Sequence, residues 1–467
     1  MRPLLALICF TLVAPMTAGP SPFPADAETS VTLYDPNPAH IWNRLDAALF
    51  VRQAPGGAVY GHDSLDPLLW GFSTQLLEPK SHRRALRVLD EFLQSHAENL
   101  VRDPVSHAVL QRDLWAVFDW SVARQPDHLG EPTYDPEKRE LQIRLVEVLR
   151  RLALTPKEIE ALPDNYAQAV ASREFAGAYD PAQPDRAFLP PDLLDSRGPW
   201  VWLPSWDPPY QSSEPAALQH VEFFSGRSRF LIFIRLPAGR KATYDYLREV
   251  WNFPEPWVAE SGAAPANARY QTDLNPALPS FPAGTEVALV RQMNLIDNQG
   301  NLVPAPITES VQIRVYRSVT GENSPPEGGF EEAIQRSGQD CYEIRLSRPK
   351  LFSGTSGGLR AIARGEKDFF IFDAMGFDQV DDPNVPIRWS QMPAVTKSCI
   401  SCHRGVGLAS VNSRHNLVKP NSLAKDDGGN YPPRWWENDG TTAWKGDRYD
   451  WLLLRSYWGT LSPTREQ

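Results

Sequence analysis

The sequence is poor in cysteine, and it has no apolar run long enough for a membrane span. Its 467 residues include only four cysteines: Cys9, Cys341, Cys399 and Cys402. This number excludes the dense disulfide framework of a small secreted domain. The main apolar run, Leu4–Pro15, is shorter than the about twenty residues that cross a membrane. We therefore expect hydrophobic cores to stabilise the fold, and no transmembrane segment in the mature chain.

Residues 1–27 are typical of a secretory signal. Arg2 supplies a positive start, the apolar run follows it, and Ala25-Asp26-Ala27 provides small residues for cleavage. Thr17-Ala18-Gly19 is a competing cleavage site. Since a signal of this kind is removed on export, we expect a periplasmic or otherwise exported mature protein. Cleavage would also remove Cys9, leaving three cysteines.

Acidic residues are absent from Pro383–Lys425, although the whole chain has a formal net charge of −10. Six basic residues occur in this stretch: Arg388, Lys397, Arg404, Arg414, Lys419 and Lys425. The negative net charge disfavours nucleic-acid binding by the whole chain. The local basic excess, called the basic stretch below, is typical of a rim that binds acidic cofactor groups or steers an acidic redox partner. A solvated loop without such a role is the alternative.

Hydrophobic periodicity predicts an α+β multidomain protein. Residues 28–180 carry apolar side chains at helical spacing and are expected to form a helical domain. Residues 181–215 are rich in proline and are interpreted as a linker. Residues 216–380 are expected to be strand-rich, and residues 381–467 are expected to be mostly helix and loop.

Local signals predict several individual elements. Thr155-Pro156-Lys157-Glu158 matches a capping box with proline at the first helical position. Val221–Phe224 and Arg229–Leu236 are predicted to form a hairpin around a short turn. Glu286–Ile296 and Val311–Val319 are predicted to be further antiparallel strands.

The pentapeptide Cys399-Ile400-Ser401-Cys402-His403 carries the strongest chemical signal. Its spacing lets two thiols add to the vinyl groups of one haem, and the next histidine can ligate the iron. A zinc site would need a second Cys/His pair, and only His415 is near. A thioredoxin-like redox pair would start a helix in a βαβ unit, and a disulfide across so short a loop would be strained. Haem attachment is therefore the favoured interpretation.

This pentapeptide resembles the haem-attachment motif of c-type cytochromes. The resemblance is confined to residues 381–467, which are then expected to be a cytochrome c-like haem region. It implies one covalently bound haem c, with thioether bonds to Cys399 and Cys402 and with His403 as the proximal iron ligand. It also implies electron transfer as the basic activity.

No methionine follows His403, whereas small c-type cytochromes place their distal methionine downstream of the motif. Met392 lies eleven residues before His403. About ten residues of extended chain span roughly 33 Å, so Met392 could reach the far face and is the first choice for the distal ligand. Met375 and His415 are alternatives. A sixth position left open would instead let the iron bind small molecules such as peroxide.

Tryptophan is concentrated near the C-terminus, at Trp435, Trp436, Trp444, Trp451 and Trp458. The last two belong to a helix predicted over Asp447–Trp458. These indoles would either shield a haem edge from water or fill an ordinary aromatic core.

The leading interpretation is an exported mono-haem c-type cytochrome with large accessory domains for docking. It would exchange electrons with a redox partner protein through the covalent haem. The alternatives are a haem-dependent oxidoreductase or peroxidase-like enzyme with an open iron position, and a haem-based sensor or scaffold. Residues 216–380 show no nucleotide loop, catalytic triad elbow or zinc signature, so no catalytic residue is assigned.

Overall fold

A computed structural model describes most of the chain between residues 31 and 460. The described residues are 31–53, 59–60, 79–122, 136–203, 218–255, 257–259, 272–320, 338–363, 366–373, 387–393, 403, 405–411 and 440–460. The predicted secretory signal and both cysteines of the pentapeptide, Cys399 and Cys402, lie outside these ranges.

The predicted combination of helices with antiparallel strands, an α+β fold, is confirmed. The helices are α1 (Ile41–Phe50), α2 (Pro79–Gln94), α3 (Pro104–Val122), α4 (Pro136–Leu152), α5 (Pro156–Glu160), α6 (Asn165–Ser172), α7 (Leu218–Phe223), α8 (Arg240–Trp251), α9 (Arg348–Phe352), α10 (Leu408–Val411), α11 (Thr441–Gly446) and α12 (Tyr449–Thr460). Short 3-10 helices span Ala97–Asn99 and Ser356–Gly358. Among the described residues, no helix combines the length and apolar character that a membrane crossing requires.

The strands form one larger sheet and three small hairpins. They are β1 (Arg52–Gln53), β2 (Val59–Tyr60), β3 (Val201–Leu203), β4 (Ser228–Arg235), β5 (Trp257–Ala259), β6 (Thr272–Leu274), β7 (Glu286–Ile296), β8 (Leu302–Tyr316), β9 (Gln339–Leu346), β10 (Leu359–Ala361), β11 (Lys367–Asp373) and β12 (Ile387–Pro393). The larger sheet has six antiparallel strands in the order β10-β9-β8-β7-β4-β3. The hairpins pair β1 with β2, β5 with β6, and β11 with β12.

The two faces of the six-stranded sheet bury different partners, because side chains alternate along each strand. On one face, Phe233, Val290 and Val311 pack in a hydrophobic cluster with Ile159 of α5 and Ala169 of α6. The opposite face is called the site face below. Its residues include three pairs that lie opposite each other on neighbouring strands: Phe230 with Arg291, Arg314 with Cys341, and Tyr316 with Gln339. Helix α8 covers part of it through an apolar cluster that includes Tyr316.

The helices α1 to α4 enclose a second core together with the C-terminal helix α12. The predicted terminal helix is confirmed, and its Trp451 ring lies 5.8 Å from the Trp115 ring between centroids. Trp458 belongs to the same cluster. These two indoles therefore fill a helical core. The cytochrome c-like fold expected for residues 381–467 has no support among the described residues there, which form β12, α10, α11 and α12.

The described part of the predicted Pro-rich linker packs into the protein core. Phe188, Leu193 and Trp200 are almost completely buried, and strand β3 pairs with β4. The helical and strand-rich regions also meet through a buried ion pair, with Arg348 Nη2 2.5 Å from Asp113 Oδ1. The domain boundaries near residues 180, 215 and 380 stay predictions.

The first arm of the hairpin predicted at residues 221–236 is wrong, because residues 218–223 form helix α7 and only the second arm is a strand, β4. The helix ends in a Schellman motif. Gly226 N–H donates to the Val221 carbonyl (2.8 Å) and Ser225 N–H to the Glu222 carbonyl (3.0 Å). Ser225 and Gly226 have positive φ angles of 52° and 68°. This helix end outweighs the strand preference of the short run Val-Glu-Phe-Phe.

Candidate functional site

His403 and residues 405–411, called the His403 segment below, lie against the site face of the sheet. Arg314 Nη1 donates to the Ser410 carbonyl oxygen at 3.2 Å. The Tyr316 hydroxyl and Ser410 Oγ are 2.6 Å apart. Gln339 Nε2 donates to the carbonyl oxygen of Gly405 at 3.1 Å. Side chains from β8 and β9 therefore hold the backbone that follows the pentapeptide.

A glycine is needed at one point of this docking. Gly407 has a positive φ of 55°, a conformation that residues with a side chain rarely adopt. A Cβ atom at this position would lie 2.9 Å from Ser280 Oγ. Leu408, the next residue, is buried in the cluster that contains Tyr316. The tight turn at Gly407 thus brings α10 down onto the sheet.

One hydrogen bond fixes the protonation and orientation of the His403 ring. Nδ1 of His403 lies 2.6 Å from the Ser410 carbonyl oxygen. Since a carbonyl oxygen can only accept, Nδ1 carries the proton, and in the neutral ring Nε2 is left with a free lone pair. Histidines that ligate metals are commonly held in this way. His403 is therefore arranged to offer Nε2 to a metal.

A second histidine, His220, lies beside His403. It belongs to α7, whose neighbouring residue Val221 is fully buried in a cluster with Phe230 and Trp444. The His220 ring lies 5.5 Å from the Phe230 ring and 6.1 Å from the His403 ring, measured between centroids. The planes of the two imidazoles differ by only 12°. The fold thus brings together two histidines from distant parts of the sequence.

Both imidazoles are held in the neutral form. Burial lowers the pKa of His403 to about 2, and the positive charge of Arg314 acts in the same direction. Burial likewise lowers the pKa of His220 to about 4, assisted by Arg314 and Arg291. Both residues are half-buried. A neutral imidazole is the form that binds a metal ion, so the pair offers two candidate ligands at neutral pH.

The structure tests only some of the site residues predicted from the sequence. Cys399 and Cys402 lie outside the described residues, as do Met375 and His415. Met392 lies on β12, paired with Asp368 of β11, and its role as distal ligand stays a prediction. Of the tryptophans expected near a haem edge, three are described: Trp451 and Trp458 in the helical core, and Trp444 beside Val221 and Phe230.

Sequence reasoning missed His220. It directly precedes the run Val221–Phe224 that is predicted to be a strand, and no spacing signal links it to a pentapeptide so far along the chain. Only the tertiary packing of α7 and the His403 segment on one sheet face brings the rings together.

Comparisons with protein-family models, curated proteins and solved structures found no match to this chain.

Proposed function

We propose that this protein is an exported mono-haem c-type cytochrome that transfers electrons through one covalently attached haem. Cys399 and Cys402 would form the thioethers, and His403 would be the proximal ligand of the iron. The observation that carries the proposal is the position of His403 in the sequence together with the hydrogen bond of its ring. It follows the second cysteine directly, and its Nδ1–H donates to the Ser410 carbonyl oxygen at 2.6 Å, which leaves Nε2 for the iron.

The aromatic and basic side chains around His403 are suited to a haem. Phe230 and Phe224 offer aromatic surface next to His220, with their ring centroids 5.3 Å apart. The guanidinium of Arg291 lies 5.0 Å from the Phe224 ring centroid. The positive charge of Arg314 lowers the pKa of both histidines. Apolar rings next to cations match a macrocycle that is apolar except for its two propionates. When bound, the haem would supply the one-electron chemistry of its iron.

The chain itself would position the haem and control its exposure. The hydrogen bond to Ser410 would fix the orientation of the His403 ring, and Tyr316 and Gln339 would fix the segment that carries this residue. The basic stretch would present positive charge to an acidic partner. A cytochrome c-like organisation of residues 381–467 belongs to this proposal.

The test is expression of the full chain in a host that matures c-type cytochromes, followed by a pyridine haemochrome spectrum. We expect a spectrum of thioether-linked haem, and haem that stays on the polypeptide after denaturation. The double variant Cys399→Ser with Cys402→Ser should lose the covalent haem. Cys341→Ser is the matched control, because Cys341 is a partly exposed residue of β9 outside the pentapeptide.

The proposal fails if the purified protein has no Soret absorption after such expression. It also fails if the double cysteine variant keeps its covalent haem, or if Cys341→Ser loses haem to the same extent.

A further inference from the structure

We propose that His220 is the second axial ligand of the haem iron, on the face opposite His403. This inference rests on the proposed function, since it assigns the sixth position of the same haem. It departs from the sequence-based choice of Met392 and assigns the role to a residue of α7, far from the pentapeptide along the chain.

The spacing of the two rings matches ligands on opposite sides of one metal. A ligating histidine nitrogen lies about 2.0–2.1 Å from a metal such as zinc, and the ring centroid lies about 1.1 Å further away. Two imidazoles on a line through one metal therefore place their centroids about 6.3 Å apart. The centroids of His220 and His403 are 6.1 Å apart. The measured separation is thus within about 0.2 Å of the value expected for two histidine ligands of one iron.

The number of ligands also suits a haem. The porphyrin supplies four nitrogens in its plane, so the protein needs to supply two axial ligands for six-coordinate iron. His403 and His220 supply two imidazoles with nearly parallel ring planes. Within the described residues, no third His, Cys, Asp or Glu joins them in a group suited to a free metal ion.

The His220 ring is held by packing and keeps its nitrogens available. It contacts the rings of Phe230 and His403, and within the described part of the chain it makes no hydrogen bond that would occupy a ring nitrogen. Its helix is anchored by the buried Val221 and ended by the turn at Gly226. A ligand on a helix fixed in this way would not need to move to reach the iron.

Two histidine ligands would decide between the functional alternatives. An iron with both axial positions filled mainly passes electrons, whereas an open position allows peroxide or oxygen to bind. His220 opposite His403 therefore favours electron transfer over a peroxidase-like activity. Two such ligands would also make the iron low-spin in both oxidation states.

The first test uses the unmodified holoprotein. Electron paramagnetic resonance of the ferric form should show a low-spin haem with two nitrogenous axial ligands. Because the imidazole planes differ by 12°, we expect the rhombic spectrum of near-parallel ligand planes, not the highly anisotropic spectrum of perpendicular planes. Magnetic circular dichroism in the near infrared should show the charge-transfer band of nitrogen ligation, and no band of methionine ligation.

The second test uses variants of the full chain that are purified with covalent haem. His220→Ala should convert the ferric haem from low-spin to high-spin, and millimolar imidazole should restore the low-spin spectrum. Met392→Leu distinguishes the rival ligand and should leave the spectrum unchanged. His96→Ala is the control for loss of a histidine, since the His96 side chain is 70% exposed.

The inference is overturned if the unmodified protein shows methionine ligation or a high-spin ferric haem, or if Met392→Leu and not His220→Ala changes the spin state. Either result would leave the covalent haem in place, so the proposed function would survive. Absence of haem would instead overturn the proposed function. Because the unmodified protein already decides the ligand type, a variant that fails to fold does not leave the inference open.

Discussion

At the scale of single residues, the site depends on which hydrogen bonds hold each side chain in place. The Ser410 carbonyl oxygen accepts from His403 Nδ1 at 2.6 Å and from Arg314 Nη1 at 3.2 Å. One backbone oxygen thus orients the imidazole and is itself fixed by the sheet. The pentapeptide motif predicts His403 as a ligand, because its chemistry depends on spacing along the chain. The motif does not predict which atom accepts the hydrogen bond from His403 Nδ1 and thereby sets the tautomer.

Replacing Arg314 should change the reduction potential of the haem. Ferric haem carries one more positive charge than ferrous haem, so a nearby guanidinium destabilises the ferric state. Arg314→Gln should therefore lower the potential by on the order of 50 mV, since about 59 mV corresponds to a tenfold change in a one-electron equilibrium. A spectroelectrochemical titration of the holoprotein measures this shift.

Arg317→Gln is the matched control for this experiment. The Arg317 side chain is 43% exposed and its Nε lies 2.9 Å from Asp340 Oδ2, so solvent and its partner already screen its charge. We expect no comparable shift in this variant. Equal shifts in the two variants would show that overall charge, and not the position of Arg314, sets the potential.

At the scale of elements, the structure confirms those predicted from strong local signals and differs where the signal was weak. The capping box at Thr155 is present, with Thr155 Oγ1 accepting from the Glu158 backbone N–H at 3.2 Å and Glu158 accepting in return. Strand β7 has the predicted bounds. Residues 221–223 have strand-forming side chains but belong to α7, because the Schellman motif at Ser225 and Gly226 and the burial of Val221 favour a helix.

Helix α11 should depend on a buried ammonium group. The Lys445 side chain is fully buried, with Nζ 2.9 Å from Asp119 Oδ2 of α3 and 2.6 Å from Asp450 Oδ2 of α12. Lys445→Ala would leave these carboxylates without their shared cation, and we expect the free energy of unfolding to fall by about 3 kcal/mol. Chemical denaturation followed by circular dichroism measures the change.

A surface lysine provides the comparison. Lys241 pairs with Asp245 on α8, but its side chain is 89% exposed. Lys241→Ala should leave the denaturation midpoint unchanged, because exposed ion pairs contribute little. If the two variants lower the midpoint equally, burial of the Lys445 pair is not what stabilises α11.

At the scale of the whole molecule, the six-stranded sheet connects the helical region with the site. One face buries the cluster that includes α5 and α6, and the other carries the His403 segment and the ring of Phe230 beside His220. The buried Arg348–Asp113 pair adds a polar connection between α9 and α3. The sequence predicted the helical and strand-rich regions, but not the shared core, because periodicity reports which side of an element is buried and not what it is buried against.

The charge distribution of the whole molecule should appear in the kinetics of electron transfer. The protein is acidic overall, with a net charge of −10, yet the basic stretch surrounds the pentapeptide. Oxidation of the ferrous holoprotein by anionic hexacyanoferrate(III) should therefore slow as salt is added. Oxidation by cationic tris(phenanthroline)cobalt(III) should not slow, because added salt slows only reactions between oppositely charged reactants. Stopped-flow absorbance measures both rates.

Charge reversal at Lys419 locates the effect. Lys419→Glu changes the basic stretch and should slow the reaction with the anionic oxidant at low salt. Lys241→Glu changes the net charge by the same amount on α8 and should have a smaller effect. If rates with the anionic oxidant do not depend on salt, the steering role of the basic stretch is wrong.

The sequence by itself determined what depends on short stretches of chain. These are the α+β composition, the bounds of β7, the capping box at Thr155, and the spacing of cysteines and histidine from Cys399 to His403. Tertiary structure alone decided what depends on contacts between distant segments. The Ser410 carbonyl oxygen selects the tautomer of His403 because β8 and β9 hold the segment in place, and His220 lies beside His403 because α7 packs against Phe230. The physical reason is that spacing along the chain fixes local geometry, whereas the distance between two rings is set by the packing of the whole sheet face.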